Sequence, residues 1–370
     1  LAYVNSIVAQ STVVYLHPFG STRPENIEAL QNGGFGPLII AYDQEPLNFD
    51  YNKSLFKYIN QNFKDDSGQS RSTILLNTEK FSLEKIKILD NFKYADVSCF
   101  FHAFAAADWY RGYQYCTDII PVTDRKITKK YITFNRITGN ARAYRGFLIA
   151  ELGKLNLLGL GHVSYSTVCP EHGHYKQNLI NTINKYKVSA DYVNESIDLL
   201  NQLTYPLRID SDINLGIPNG SQTLGPISAF MESFLHVVTE TCYWEEKTHL
   251  TEKIFKPIVA RQPFVLLGCA NNLKYLKSYG FKTFDAWWDE SYDSITDPIL
   301  RLQAVVKIIN EICSMSNKDL TAMLRAMQHV LDYNYNKFYS TEFVDYCWHE
   351  LTENLELSLA QLRPQTALEI

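Results

Sequence analysis

The chain has 370 residues, 46% of them hydrophobic and 20% charged, and a formal net charge of −5. That balance excludes a disordered chain and suits two globular domains of ordinary size. The negative charge argues against a main partner that is nucleic acid, and no stretch approaches the roughly 20 apolar residues that cross a bilayer.

Taken in chain order, short β-like runs alternate with helix-like ones. "STVVYL" (11–16) reads as a first strand; the residues before it carry neither a basic region nor a small-residue cleavage site, so no targeting peptide is expected. "GPLIIAYD" (36–43), "STILLN" (72–77) and "DVSCFF" (96–101) follow, each succeeded by a helical pattern. Apolar runs in alternation with helices indicate βαβ units and a parallel sheet buried on both faces. The polar "PVTDRKITKK" (121–130) breaks the pattern. It resumes with "YITFN" (131–135), a helix from about 141, "HVSYSTV", "FLHVVTE" (234–240), "FVLLG" (264–268) and "FKTFD" (281–285). The segment 170–230, rich in Asn, Ser and Tyr, has no clear pattern, whereas 300–314, 317–335 and 341–363 are strongly helical. The reading is an α/β protein with an N-terminal domain over 1–125, a second over 126–340 and a helical segment over 341–370. Two such lobes place a ligand cleft at the carboxyl ends of their strands.

Seven scattered cysteines, odd in number and without CxxC, point to reduced thiols and a cytoplasmic location. Cys169, His172 and His174 in "CPEHGH" could form half a zinc site, but no second pair follows at suitable spacing, and a polar loop is the better reading.

Four stretches could carry chemistry. In "LTEKIFKPIVARQPFVLLG", Thr251 is a candidate N-cap with Glu252 and Lys253 in the first turn. Such a turn suits an anion, with Lys253 for a phosphate oxygen and Glu252 for vicinal hydroxyls; capping alone is the simpler alternative. In "FNRITGNARAYRGFLIAEL", a strand ends at Asn135, and Arg136, Arg142 and Arg145 surround a strand-to-helix junction, as a diphosphate clamp requires. A solvated basic face would look the same. "FLHVVTETCYW" delivers Glu240 at a strand end, to accept from a sugar hydroxyl or to cap the 251 helix. "LIIAYDQEPLNFD" places Glu45, with Asp43 as competitor, where a partly desolvated carboxylate could be a general base.

Together these segments resemble the α-1,3-fucosyltransferase family, which has a "TEK" before an apolar helix and a "PVVLG"-like strand, a strand ending in Phe-Glu-Asn-Ser, and an Asn-ended strand leading to an Arg-bearing helix. The resemblance spans roughly 131–152 and 234–270. It implies a GT-B arrangement of two Rossmann-like domains, with nucleotide sugar (GDP-sugar favoured) in the C-terminal one, a glycan or other hydroxyl-bearing acceptor in the N-terminal one, and neither metal nor other cofactor. It further implies an inverting transfer in which Glu45 is the base and Arg145, the arginine in register with the family's, neutralises the leaving diphosphate with Lys253; Arg142 is a further candidate beside them. Thr241 stands where that family has Asn, and the loop 241–250 is longer, so the resemblance carries sugar transfer further than it carries fucose. The alternatives are another sugar-phosphate enzyme on the same architecture and an inactive α/β protein that binds a glycan or partner.

Overall fold

The computed structural model describes residues 12–15, 38–42, 73–78, 94–98, 121–205 and 227–362, with isolated positions at 61, 62, 68, 106, 110, 207 and 224. The chain divides into two compact units, Leu1–His102 with Val344–Ile370, and Ala103–Phe343. The division falls at 102/103 where the sequence suggests 125/126. Described residues between the two points bond within the second unit: the buried Tyr110 donates to the Glu252 carbonyl at 3.2 Å. Arg125 donates to the carbonyls of Ala260 and Arg261 at 2.6 and 2.8 Å.

In the first unit, β1 (Thr12–Tyr15), β2 (Leu38–Tyr42), β3 (Thr73–Asn77) and β4 (Tyr94–Ser98) form a parallel sheet in that order. β4 begins before the expected 96–101. The C-terminal helical segment groups with this unit instead of standing apart.

The second unit holds β5 (Lys129–Thr133), β6 (Gly161–Val163), β7 (Val168–Cys169), β8 (Gly173–His174), β9 (Ser233–Thr239) and β10 (Phe264–Leu267). Its main sheet is parallel, in the order β10-β9-β5-β6. β9 is buried along all seven residues, as a strand covered on both faces should be. Gly161 faces Tyr131 across the β5–β6 pair, and a Cβ there would meet the Tyr131 ring at 2.5 Å, so only glycine fits.

The helices of this unit are α1 (Tyr144–Lys154), α2 (Tyr175–Tyr186), α3 (Ala190–Asn201), α4 (Ile227–Glu232), α5 (Phe255–Val259), α6 (Asn272–Ser278), α7 (Pro298–Ser314) and α8 (Asn317–Phe338). α9 (Thr341–Leu362) ends the described chain. α1 is apolar nearly all round, buries eight of its eleven residues and packs between α3 and α7. α7 and α8 start where sequence chemistry says they should: Asp297 accepts from the amides of Ile299 and Leu300, with Pro298 in the first turn, and Ser316 accepts from the Asp319 amide.

One expectation gives way, and one element is shorter than its apolar run. "FKTFD" joins no sheet; side chains supply its backbone partners. Asn334 of α8 accepts from the Lys282 amide at 2.9 Å and donates to its carbonyl at 2.8 Å, while Glu290 accepts from the Phe284 amide at 2.7 Å. The 251–261 helix is shorter than its pattern: a 3₁₀ turn over Glu252–Ile254 leads into α5. Pro257 lies in the first turn of α5, where its missing amide costs nothing. Arg261, at φ 46°, then turns the chain left-handed towards β10.

The five described free cysteines, Cys169, Cys242, Cys269, Cys313 and Cys347, are all buried. Among the described residues no helix is long and apolar enough to cross a membrane.

Candidate functional site

The strand order of the second sheet defines one distinctive place. From β5 the chain crosses to β6 on one side; from β9 it crosses to β10 on the other. The loops leaving the adjacent β5 and β9 therefore diverge beyond their carboxyl ends, at the kind of switch point where open parallel sheets have a crevice and take their ligands. The sequence-predicted residues of this unit lie around that point.

Beyond β9, Thr241 presents its hydroxyl to two cations. The Arg142 guanidinium, from the 3₁₀ turn Asn140–Arg142, lies at 3.5 Å from Thr241 Oγ1, and the Lys253 ammonium at 3.3 Å. Lys253 Nζ also reaches Thr251 Oγ1 at 3.1 Å and Glu252 Oε1 at 2.9 Å. Lys253 and Arg142 are only partly buried, whereas Glu252 is nearly covered. Two turns separated by 99 and 12 residues from Thr241 thus bring positive charge to one spot.

Beneath them sits Glu240, without exposed surface. Its Oε2 accepts from the Thr251 hydroxyl at 2.6 Å and the Thr241 amide at 3.3 Å; its Oε1 accepts from the Thr251 amide at 3.3 Å. Burial raises its pKa, and the nearby Lys253 charge and the Thr251 hydrogen bond oppose the rise. Of the two roles open to Glu240 from sequence, this geometry is that of the cap.

Arg145 is likewise interior, 3% exposed. It donates to the carbonyls of Ile137 at 2.8 Å, Thr239 at 2.7 Å and Glu240 at 3.3 Å, which straps the β5 loop to the end of β9. Burial lowers its pKa. Tyr144 donates to the Glu240 carbonyl at 2.6 Å, and its phenol is pushed up to about 12 by burial. Asn135 lies two residues past β5 and is also buried; its Oδ1 accepts from the Thr239 hydroxyl at 3.2 Å, and its amide donates to Ser164 Oγ at 2.8 Å. Arg136 is exposed. Glu45 and Asp43 lie outside the described residues.

So Lys253, Glu252 and Arg142 gather at the crevice, with Arg145, Glu240 and Asn135 behind them as its frame. Sequence reasoning noticed Thr241 only as a departure from a pattern and did not see its hydroxyl as the meeting point. It also missed the aromatic anchoring of the 241–250 loop. Tyr243 stacks on Tyr144 with centroids 3.9 Å apart, and Trp244 stacks on Tyr186 at 4.5 Å and 8°. Arg301 of α7 donates to the Tyr243 carbonyl at 2.8 Å, and Asn272 donates to that of His249 at 2.9 Å. The run "CYW" was the available signal, since aromatic residues in a loop commonly anchor it.

The "CPEHGH" stretch folds as the β7–β8 hairpin, with His174 Nδ1 accepting from the Lys176 amide to cap α2. Among the described residues no three His, Cys, Asp or Glu side chains are grouped to hold a metal ion. Compared with known families, curated proteins and solved structures, the chain matches none.

Proposed function

We propose that the protein is a glycosyltransferase that takes a sugar from a nucleotide sugar, with the diphosphate bound at the crevice beyond β5 and β9. The observation that carries this reading is the convergence of Arg142 and Lys253 on the Thr241 hydroxyl at a topological switch point. A guanidinium fork and an ammonium that approach the same hydroxyl suit adjacent phosphate oxygens. Lys253 has the buried carboxylates of Glu252 and Glu240 near it, which holds its donors in place before a ligand arrives. The diphosphate contact passes from Arg145 to Arg142, because Arg145 is interior and both its terminal nitrogens donate to backbone carbonyls.

In the proposed reaction, Glu45 takes the proton of an acceptor hydroxyl as its oxygen attacks the anomeric carbon, the bond to the diphosphate breaks, and the configuration inverts. Arg142 and Lys253 stabilise the charge that develops on the leaving diphosphate. Glu252, beside Lys253, accepts from donor hydroxyls. A GDP-sugar, fucose among the candidates, is the donor the sequence resemblance favours; an assay of sugar transfer to an acceptor hydroxyl distinguishes this from another sugar-phosphate enzyme.

The test is calorimetric titration of UDP, GDP, ADP and CMP into the wild type, Lys253→Ala, Arg142→Ala and Arg136→Ala. One nucleotide should bind; the first two substitutions should weaken it by about tenfold or more, the cost of a lost charge-assisted hydrogen bond, and Arg136→Ala should leave it unchanged. Absence of affinity for every nucleotide would overturn the reading.

A further inference from the structure

Glu240 has no surface for a ligand, yet both its ends are engaged. Its backbone carbonyl accepts from Tyr144 and Arg145, the residues that follow the turn bearing Arg142. Its carboxylate accepts from Thr251 twice, immediately before the turn bearing Lys253, and from the amide of Thr241, whose hydroxyl both cations approach. One residue therefore ties together all three segments that build the crevice wall. A carboxylate accepting several hydrogen bonds in a dry site is a stiff tie, because each bond is stronger there than in water.

We propose that Glu240 is a positioning residue: by holding the three segments to one side chain and one carbonyl, it sets the spacing between Arg142 and Lys253 and so the affinity for a diphosphate. This rests on the phosphate reading above. The charged and titratable groups around it are Lys253 and Glu252 from the 3₁₀ turn before α5 and Arg145 and Tyr144 from the start of α1, with Arg142 in the turn before them. Protonating Glu240 would remove an acceptor and leave Lys253 without one of its two carboxylates. Because burial raises the pKa of Glu240 above the ordinary carboxylate value, this loss begins at a higher pH than for a surface glutamate.

The experiment titrates the wild type, Glu240→Gln and Thr251→Val with the nucleoside diphosphate of the previous test, between pH 5 and 8. Glu240→Gln keeps the shape but replaces one acceptor with a donor, and should bind about tenfold more weakly at neutral pH. Acidification should lower the wild-type affinity towards that of Glu240→Gln; comparing the two profiles cancels the titration of the diphosphate itself. Thr251→Val, which removes only the hydroxyl donor, should weaken binding in the same direction and keeps the test alive if Glu240→Gln does not fold. Wild-type affinity and pH profile in a folded variant would overturn the inference and leave the phosphate reading standing. A wild type that binds no diphosphate would end both.

Discussion

His236 lies midway along β9 with its ring 5.3 Å from that of Phe230 and 5.8 Å from that of Phe134, and its Nδ1 is buried without a hydrogen-bond partner. Burial first, and the Lys256 charge second, lower its pKa from 6.5 to about 3. The folded protein therefore keeps His236 neutral where the unfolded chain would protonate it. Its contribution to stability is complete above pH 6.5 and falls away as the pH drops from 6.5 towards 3, at no more than about 1.4 kcal/mol per pH unit. In thermal melts His236→Leu should flatten this part of the acid limb, so that the gap between variant and wild type moves in favour of the variant between pH 7.5 and 5. A gap that does not change with pH would contradict it. At this scale the sequence offered residue types but not their direction. Arg142 and Arg145 are three positions apart in one basic run, and only the change from a 3₁₀ turn to α1 sends one to the crevice and the other into the interior. Chemistry was legible; exposure was not.

Elements marked by a short apolar run or a capping residue were the most readable. β1, β2, β3, β9 and β10 fall almost where their apolar runs do, and the caps of α7 and α8 mark their starts. The run 281–285 misled because its hydrogen-bond partner, Asn334, is 52 residues away and is a side chain. That dependence can be tested. Asn334→Leu leaves the Lys282 amide and carbonyl without their partners and should destabilise the second unit by about 1–3 kcal/mol in urea unfolding, with an unchanged m-value. A loss below about 0.5 kcal/mol would mean that water replaces the amide without difficulty.

For the whole molecule, two parallel α/β sheets could be expected from alternation alone, but their strand orders could not. Pairing of β9 with β5, on the side away from β6, joins residues about a hundred positions apart, and no local pattern encodes that choice. The crevice is a product of that order, which is why the site residues could be named from sequence while their grouping could not. The proposed division of labour between lobes has its own test. Glu45→Gln should lower sugar transfer by roughly two to four orders of magnitude, the usual contribution of a general base, and leave nucleotide affinity in calorimetry intact. Unimpaired transfer would move the role to another group, with Asp43 first in line.

The stacked pairs Tyr144–Tyr243 and Trp244–Tyr186 have a thermodynamic consequence. They immobilise the backbone next to Thr241 when the chain folds, so its conformational entropy is lost once, in folding, and not again at each encounter with a ligand. An anion arriving there meets donors already aimed, and its association should show little of the unfavourable entropy that a loop freezing around its guest would impose.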